Sequence, residues 1–268
     1  SLSSKDNLTE ILDSYGMVIM DECHHAASTS SMEVLQKVKA KYVYGVSATP
    51  KRGDSMEKIL YMLLGPLRHK FTALERAAEQ GIGHFFVPRY TRVVDNSESK
   101  DDINKAYALI TSSEVRNNMI VEDVKSCVKE GKTPVILTRM KEHAKTLADN
   151  LKGSADHVFI LYGDNSDKEN LEIRTKLKQV PKNETLILVA TGQKIGEGFD
   201  FPRLDTLMLA APVSFEGRLE QYIGRLNRDF EGKEAVYVYD YVDSHVRYFD
   251  RMYGKRLRTY RKTGFSLW

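Results

Sequence analysis

The stretch that decides the fold is Leu186-Ile187-Leu188-Val189-Ala190-Thr191-Gly192-Gln193-Lys194-Ile195-Gly196-Glu197-Gly198-Phe199-Asp200-Phe201-Pro202. Its first six residues form a run of apolar and β-branched side chains, which predicts a short buried strand. Three glycines and a final proline follow, and they predict a loop whose backbone can approach another body closely. The stretch therefore predicts a strand that delivers a glycine-rich loop to one edge of a sheet.

A helix with two arginines is predicted after the next apolar run, Leu204–Ala211. Residues Glu216–Arg228 have helical spacing, and one face of that helix carries Leu219, Tyr222, Ile223 and Leu226. The other face carries Gln221, Arg225 and Arg228, at positions i, i+4 and i+7. Two guanidinium groups and an amide suit an anion with several oxygens, although a solvated helix face has the same composition.

The same alternation of strand and helix extends in both directions from this stretch. Each apolar run of strand length is followed by a segment with helical spacing, which predicts an α/β fold: a parallel sheet with helices on both faces. The predicted strands are Val135–Thr138, Val158–Tyr162, Leu186–Thr191, Leu204–Ala210 and Ala235–Tyr241, and the predicted helices are Lys141–Leu151, Lys168–Gln179 and Glu216–Arg228. A long helical segment, Ile103–Glu130, precedes them with a predicted break near Thr111–Glu114.

Two adjacent acids follow an apolar strand near the start of the chain. Met17–Met20 predicts a buried strand, and Asp21 and Glu22 stand at its carboxyl end, where open α/β sheets bind ligands. One interpretation is that Asp21 holds Mg²⁺ through water and Glu22 polarises an attacking water. The other is that an acid caps the helix that follows. The spacing of Cys23, His24 and His25 disfavours a zinc site.

A second predicted strand, Tyr42–Val46, ends in small hydroxyl residues. Ser47 and Thr49 follow it directly, and their hydroxyl groups could hydrogen-bond to the end of the acidic strand. A simple turn closed by Pro50 explains the same residues.

Composition bounds the class of protein. The 268 residues are 41% apolar and 29% charged with a net charge of +3, which is typical of a globular protein. No apolar run reaches membrane-spanning length, so no membrane partner is expected. Cys23 and Cys127 are far apart and predict no disulfide framework, which favours the cytoplasm. Ser244–Trp268 carries a net charge of +6, which fits either a phosphate-binding helix or a solvated face that covers apolar surface.

We predict a domain boundary at Asp95–Asp102, the most polar run in the chain. This boundary divides the chain into residues 1–95 and 96–268. The stretch before it, His84–Val94, predicts a strand that Pro88 confines to an edge or crossover.

Four sequence motifs together resemble the superfamily 2 helicases and translocases of the DEAD/DEAH type. Asp21-Glu22-Cys23-His24 is similar to motif II, Ser47-Ala48-Thr49 to motif III, Gly196–Asp200 to motif V and Gln221–Arg228 to motif VI. The glycine loop most resembles the branch of restriction-enzyme motors and XPB-like repair helicases. The resemblance implies two RecA-like domains with ATP bound in the cleft between them. Residues 1–95 would be part of the first domain, with motifs II and III, and 96–268 the second, with motifs IV to VI and a basic C-terminal helix.

The resemblance also implies catalytic roles for individual residues. Asp21 would be the Mg²⁺ partner, and Glu22 would be the catalytic base. Arg225 and Arg228 would be arginine fingers, and Gln221 would sense the γ-phosphate. Cations that reach a transferring phosphoryl group stabilise its developing charge, which agrees with these roles.

Binding and coupling roles follow from the same resemblance. Gly198 and Asp200 would approach the ribose and phosphates of ATP. The residues implied to couple hydrolysis to movement are His24, Ser47 and Thr49, and those implied to contact nucleic acid are Thr138, Arg139, Gly163 and Thr191.

One expected motif is absent from the sequence. No Gly-x-x-x-x-Gly-Lys-Thr/Ser phosphate loop occurs in these residues, and only about twenty residues precede Asp21. We therefore expect the chain to be the C-terminal fragment of a longer helicase or translocase, inactive by itself for want of that loop. DNA is favoured over RNA as substrate by the resemblance to restriction and repair motors, and a nuclease or other domain could accompany the motor. The alternative is a non-catalytic RecA-like module that docks nucleic acid or a protein through its basic C-terminal helix.

Overall fold

The chain forms two compact units, residues 1–71 and 72–268. The computed structural model describes residues 8–47, 57–70, 75, 79, 81–96, 102–163, 165–191, 200–213 and 216–268. No helix in these ranges is long and apolar enough to cross a membrane.

The first unit contains a pair of parallel strands. Strand β1 (Met17–Met20) pairs with β2 (Tyr42–Gly45), with Met17 opposite Tyr42 and Met20 opposite Gly45. Its helices are α1 (Leu8–Asp13), α2 (Thr29–Gln36) and α3 (Glu57–Leu64), and one 3₁₀ turn spans Cys23–His25. Cys23, Ala26 and Leu60 form a small buried cluster. The two strands predicted here form, and their carboxyl ends lie side by side. The predicted burial of β1 is wrong, because Met17 and Ile19 on one face of this two-stranded pair are 50% and 59% exposed.

The second unit is built on a seven-stranded parallel sheet. The strand order is β5-β6-β4-β7-β8-β3-β9. The strands are β3 (Gly83–Tyr90), β4 (Pro134–Thr138), β5 (His157–Leu161), β6 (Leu186–Thr191), β7 (Thr206–Leu209), β8 (Ala235–Val242) and β9 (Ser266–Leu267). The helices with bounds in the described ranges are α4 (Ile103–Ser112), α5 (Glu114–Lys129), α6 (Lys141–Asn150), α7 (Asp167–Gln179), α8 (Glu216–Leu226) and α9 (Arg247–Lys262).

Alternate side chains of each central strand enter two different cores. On β4, Val135 and Leu137 join a core lined by α7, α8 and α9, whereas Ile136 joins a core lined by α5 and α6. Strand β6 is buried at every position. A strand covered on both faces has no polar side, which explains its uninterrupted apolar run. The predicted α/β fold with helices on both faces of a parallel sheet is confirmed.

The predicted break in the long helical segment lies at Ser113. The side-chain oxygen of Ser113 accepts a hydrogen bond from the backbone N–H of Arg116 and so begins α5 directly after α4.

The division between the units differs from the boundary predicted at Asp95–Asp102. Strand β3 precedes that polar run, yet it pairs with β8 along its whole length, from Gly83 opposite Ala235 to Tyr90 opposite Val242. The polar run Asp95–Asp102 is therefore a connection inside the second unit. Backbone pairing, and not the polarity of the sequence, determines the sheet to which β3 belongs. Strand β9 contacts β3 only at Phe85 and Phe86, so Pro88 lies beyond that pairing, where its missing N–H is tolerated.

Candidate functional site

In the first unit, the two acids stand where β1 ends. The backbone of Glu22 is left-handed, with φ 47° and ψ 48°, which is uncommon for a residue with a side chain. The N–H of Glu22 donates to Asp21 Oδ1 over 2.8 Å, and the N–H of Cys23 donates to the carbonyl of Val46 over 2.9 Å. The turn is thus fixed from both sides and presents Asp21 as an exposed carboxylate.

His24 joins the acidic turn to the end of the neighbouring strand. Its Nδ1 lies 2.9 Å from Ser47 Oγ and 3.3 Å from Glu22 Oε2. The structure therefore brings together three predicted site residues, Glu22, His24 and Ser47, in one chain of polar contacts. A change at Ser47 can reach the Glu22 carboxylate through a single imidazole.

The acidic turn fits a magnesium ion held mainly by other ligands. Mg²⁺ in nucleotide sites is bound by one or two carboxylates together with waters and substrate phosphates. Asp21 supplies an exposed carboxylate, and the described residues contain no cluster of three or more His, Cys, Asp or Glu side chains that could hold a metal alone. Glu22 Oε2 is a buried atom whose contact with His24 Nδ1 at 3.3 Å is not a full hydrogen bond, so it has capacity to accept one from a water.

In the second unit, the arginine segment begins on α8 and continues past its end. The helix stops at Leu226, so Arg228 lies two residues beyond it and not on the helix face that the sequence predicted. Gln221 and Arg225 are on the helix and are partly exposed. The Arg228 Nε atom is 3.5 Å from Asp200 Oδ1. Both of these residues are predicted site residues, and the fold places them together.

The side chain of Lys233 binds backbone carbonyl groups at the end of the arginine segment. Its Nζ donates to the carbonyl oxygens of Leu204 at 2.7 Å, Leu226 at 2.9 Å and Arg228 at 3.0 Å, and also to that of Pro202. Burial lowers the pKa of Lys233 to about 8, against the opposing effect of Asp205 and Asp229. At neutral pH the ammonium group therefore ties the end of α8 to the segment that follows the glycine loop.

A second contact holds the residue beside Arg228. His84 Nε2 lies 2.8 Å from Asn227 Oδ1, and both side chains are buried. The His84 ring also stacks on Phe265, with the ring centroids 4.9 Å apart. Burial lowers the pKa of His84, so a neutral imidazole from β3 fixes Asn227.

Three of the predicted nucleic-acid residues meet at the carboxyl edge of the sheet. Thr138 ends β4, Thr191 ends β6 opposite it, and Gly163 follows β5 on the other side of β6. The N–H of Gly163 donates to Thr191 Oγ1 over 2.6 Å. The side chains of Thr138 and Thr191 are 2% and 7% exposed, so they present little surface of their own.

The Thr138 hydroxyl group is hydrogen-bonded to a buried histidine, His143. Thr138 Oγ1 lies 2.7 Å from His143 Nδ1, and His143 Nε2 lies 2.9 Å from Asn117 Oδ1. Asn117 Nδ2 donates to the carbonyl of Thr111, so its Oδ1 must accept from His143, whose Nδ1 then accepts from Thr138. Burial, followed by the charge of Arg116, lowers the pKa of His143 to about 3. Thr138 is thus fixed by a neutral imidazole.

Arg139 is an exposed cation at this edge. Its guanidinium carbon lies 4.6 Å from the centre of the Tyr107 ring, and Nη2 is 3.4 Å from Asn104 Oδ1. Of the four residues predicted to contact nucleic acid, Arg139 and Gly163 therefore offer surface, whereas Thr138 and Thr191 are positioned behind it.

The basic residues of the C-terminal segment, Ser244–Trp268, do not all have the same environment. Arg256 is buried: Nε and Nη2 each donate to the Asp240 carboxylate over 2.8 Å, and Nη1 donates to the carbonyl of Val213 over 3.1 Å. Tyr260 also donates to Asp240 over 2.9 Å. One cation of the segment is therefore structural, while most of the others lie on the outer face of α9.

Two predicted residues, Thr49 and Gly198, lie outside the described residues. Sequence reasoning missed Lys233, His143 and Asn227. A lysine after the Glu231-Gly232 turn carries no special pattern, and the contacts of all three depend on segments distant in the chain.

Two parts of the chain match known protein families. Residues 1–52 match the family described as type III restriction enzyme, res subunit. Residues 116–229 match the helicase conserved C-terminal domain. With the parallel sheet described above, these matches make the chain similar to the superfamily 2 helicases and to restriction-enzyme motors, and its fold is RecA-like.

Particular relatives come from viruses and from restriction systems. A candidate helicase, 161L, of Invertebrate iridescent virus 6 is 29% identical over 260 residues, which cover 94% of this chain and 57% of that protein. A candidate ATP-dependent RNA helicase, L396, of Acanthamoeba polyphaga mimivirus is 23% identical over 275 residues, which cover 100% and 51%. The fragment structure of a candidate HsdR subunit of a type I restriction enzyme from Vibrio vulnificus YJ016 aligns with a TM-score of 0.61 at 20% identity, over 87% of this chain and 45% of that one. The chain thus spans about half the length of these curated relatives.

Proposed function

We propose that this chain carries part of a nucleic-acid-dependent ATPase that acts as a helicase or translocase. The observation that supports it best is the contact of His24 with both Glu22 and Ser47. A catalytic base linked through one imidazole to the next strand can respond to nucleic acid bound elsewhere. Such a link is what converts hydrolysis into movement.

The proposed chemistry divides among the residues described above. Asp21 would hold Mg²⁺, which neutralises phosphate charge, and Glu22 would orient and deprotonate the attacking water. Arg225 and Arg228 would stabilise the charge that develops on the transferring phosphoryl group, with Gln221 as the γ-phosphate sensor. Asp200 would approach the ribose and phosphates of ATP beside Arg228, whose Nε atom lies 3.5 Å from Asp200 Oδ1. Gly198 would also approach the ribose and phosphates of ATP.

ATPase assays on the product of the complete gene test these assignments. Arg228→Ala and Arg225→Ala should each lower the nucleic-acid-stimulated rate by about 10³-fold, and Glu22→Gln should abolish it while ATP still binds. Lys182→Ala is the control, because that lysine is an exposed cation that pairs with Glu231 on the surface and is not one of the proposed site residues. Wild-type rates from the arginine variants would refute the finger assignment. We also propose that these 268 residues alone do not hydrolyse ATP, since they lack the phosphate-binding loop.

The nucleic-acid surface is proposed to lie at the carboxyl edge of the second sheet. Arg139 would contact phosphate there, Gly163 would offer its backbone, and Thr138 and Thr191 would shape the edge. We favour DNA over RNA because of the likeness to restriction enzymes, and one relative described as an RNA helicase supports the opposite choice. Competition between DNA and RNA for ATPase stimulation decides between them, and strand displacement against triplex displacement separates a helicase from a translocase.

A further inference from the structure

The outer face of α9 carries a row of cations that the proposed active site does not use. Arg247, Arg251, Lys255, Arg258 and Lys262 are all exposed and follow one another at helical spacing, so they form one line along the helix. We call these five residues the cationic stripe. Asp250 is the one acid in Arg247–Lys262. The buried cation of the same helix, Arg256, faces inward and belongs to the core.

The stripe is unfavourable for the helix that carries it. Like charges at i,i+3 and i,i+4 repel each other, and Arg247 places a cation at the positive end of the helix dipole, whereas only Lys262 of the stripe lies in the last turn, where a cation is favourable. Lys262 pairs with Glu220 at 3.1 Å, but no acidic group in the described ranges lies within ion-pair distance of Arg251, Lys255 or Arg258. Local rules broken without a compensating contact indicate a functional surface.

A glycine interrupts the stripe at its centre. Gly254 is an exposed residue in the interior of α9, three positions after Arg251 and four before Arg258. A Cβ atom there would meet nothing within 4 Å, so packing does not require a glycine. Its φ is not positive either, and glycine is among the least favourable residues in a helix. The remaining use of a glycine is to let another molecule approach the backbone closely.

We propose that the cationic stripe is a second nucleic-acid-binding surface, with a phosphate backbone lying along α9 and closest to it at Gly254. The sixteen residues of α9 span about 24 Å, and a duplex carries a charge about every 1.7 Å of its axis, so each cation can find a phosphate. The surface lies on a helix that packs on one face of the sheet and is separate from the strand-end residues Thr138, Gly163 and Thr191. It rests on the proposed function only for the choice of nucleic acid as partner.

Binding without nucleotide tests the surface in the 268-residue chain itself. Fluorescence anisotropy with labelled oligothymidylate and labelled duplex should show salt-dependent binding. The triple variant Arg251→Glu/Lys255→Glu/Arg258→Glu should lose at least about tenfold in affinity at low salt and flatten the salt dependence by about two to three phosphate contacts. The matched control changes net charge equally on α6 and α7, at exposed positions: Lys145→Glu, Lys176→Glu and Lys178→Glu. Equal losses from both triples would overturn the proposal, because net charge alone would then explain them.

Substitutions of Gly254 test the proposal in variants that are not expected to lose stability. The substitution fills open space in a helix, so it should raise the urea midpoint, while Gly254→Leu should lower affinity several-fold in a chain at least as stable as wild type. Unchanged affinity in Gly254→Leu would contradict close approach at this point. If the stripe triple loses only the binding of polyglutamate and keeps that of nucleic acid, the surface serves an acidic protein and the proposal is wrong. Arg225→Ala and Arg228→Ala should leave this binding unchanged, so failure of the ATPase assignment is distinguishable.

Discussion

His143→Gln should make the second unit less sensitive to acid. His143 is 3% exposed and its pKa is lowered to about 3 from an ordinary value of 6.5. Between these values the unfolded chain binds a proton that the folded chain does not, so the free energy of unfolding falls as the pH drops below 6.5. Each pH unit below 6.5 corresponds to about 1.4 kcal/mol, so at about pH 5 this one side chain removes about 2 kcal/mol.

Urea unfolding at about pH 8 and about pH 5 measures this loss. Trp268 is the one tryptophan in the chain, and it packs edge-on against Phe85 and Tyr237, so its fluorescence follows the second unit. His84 also has a lowered pKa and adds to the acid sensitivity of wild type, so the difference between variants is the informative quantity.

His143→Gln should lose about 2 kcal/mol less than wild type between the two pH values, whatever its stability at the higher one. His245→Gln is the control, because that histidine is exposed, and this variant should lose as much free energy as wild type. If wild type and His143→Gln lose the same free energy, His143 is not held neutral and the hydrogen-bond assignment at Thr138 fails.

Three further outcomes follow from buried or bridging contacts. Lys233→Met leaves four carbonyls without their donor and should lower the free energy of unfolding by about 2–3 kcal/mol in urea; an unchanged midpoint would show that the ammonium contact is dispensable. Arg256→Met should cost about 3–5 kcal/mol because it leaves Asp240 buried without its ion-pair partner, and adding Asp240→Asn should recover part of that loss; no recovery would exclude a buried-charge penalty. Ser47→Ala removes the partner of His24 and should reduce nucleic-acid stimulation of the ATPase several-fold while basal hydrolysis persists, and full stimulation would refute the coupling role.

The strands of the second unit could be predicted because burial on both faces leaves a visible signal. Every residue of β4 and β6 is buried, and both appear in the sequence as unbroken apolar runs. Thr138, Gly163 and Thr191 could be placed together for the same reason, since parallel strands end at a common edge. The contact of His24 with Ser47 was foreseen only in outline, from hydroxyl groups at the end of the strand after the acids.

Contacts that depend on tertiary packing could not be predicted. Lys233 meets carbonyls of residues 204 and 202, about thirty positions away, and nothing local distinguishes it from a surface lysine. The α8 helix ends two residues before Arg228, where tertiary contacts of Asn227 and Lys233 replace helical geometry. Burial of Arg256 required Asp240 opposite it, which charge counting along the sequence does not reveal.

The place of β3 has a practical consequence for recombinant expression. A fragment of the second unit trimmed to start at Asp95 would discard the whole strand from Gly83 to Tyr90 and uncover the length of β8. It would also strip Asn227 of His84, and an open strand edge of this kind invites intermolecular pairing and precipitation. Expression of the second unit alone should therefore begin no later than Gly81.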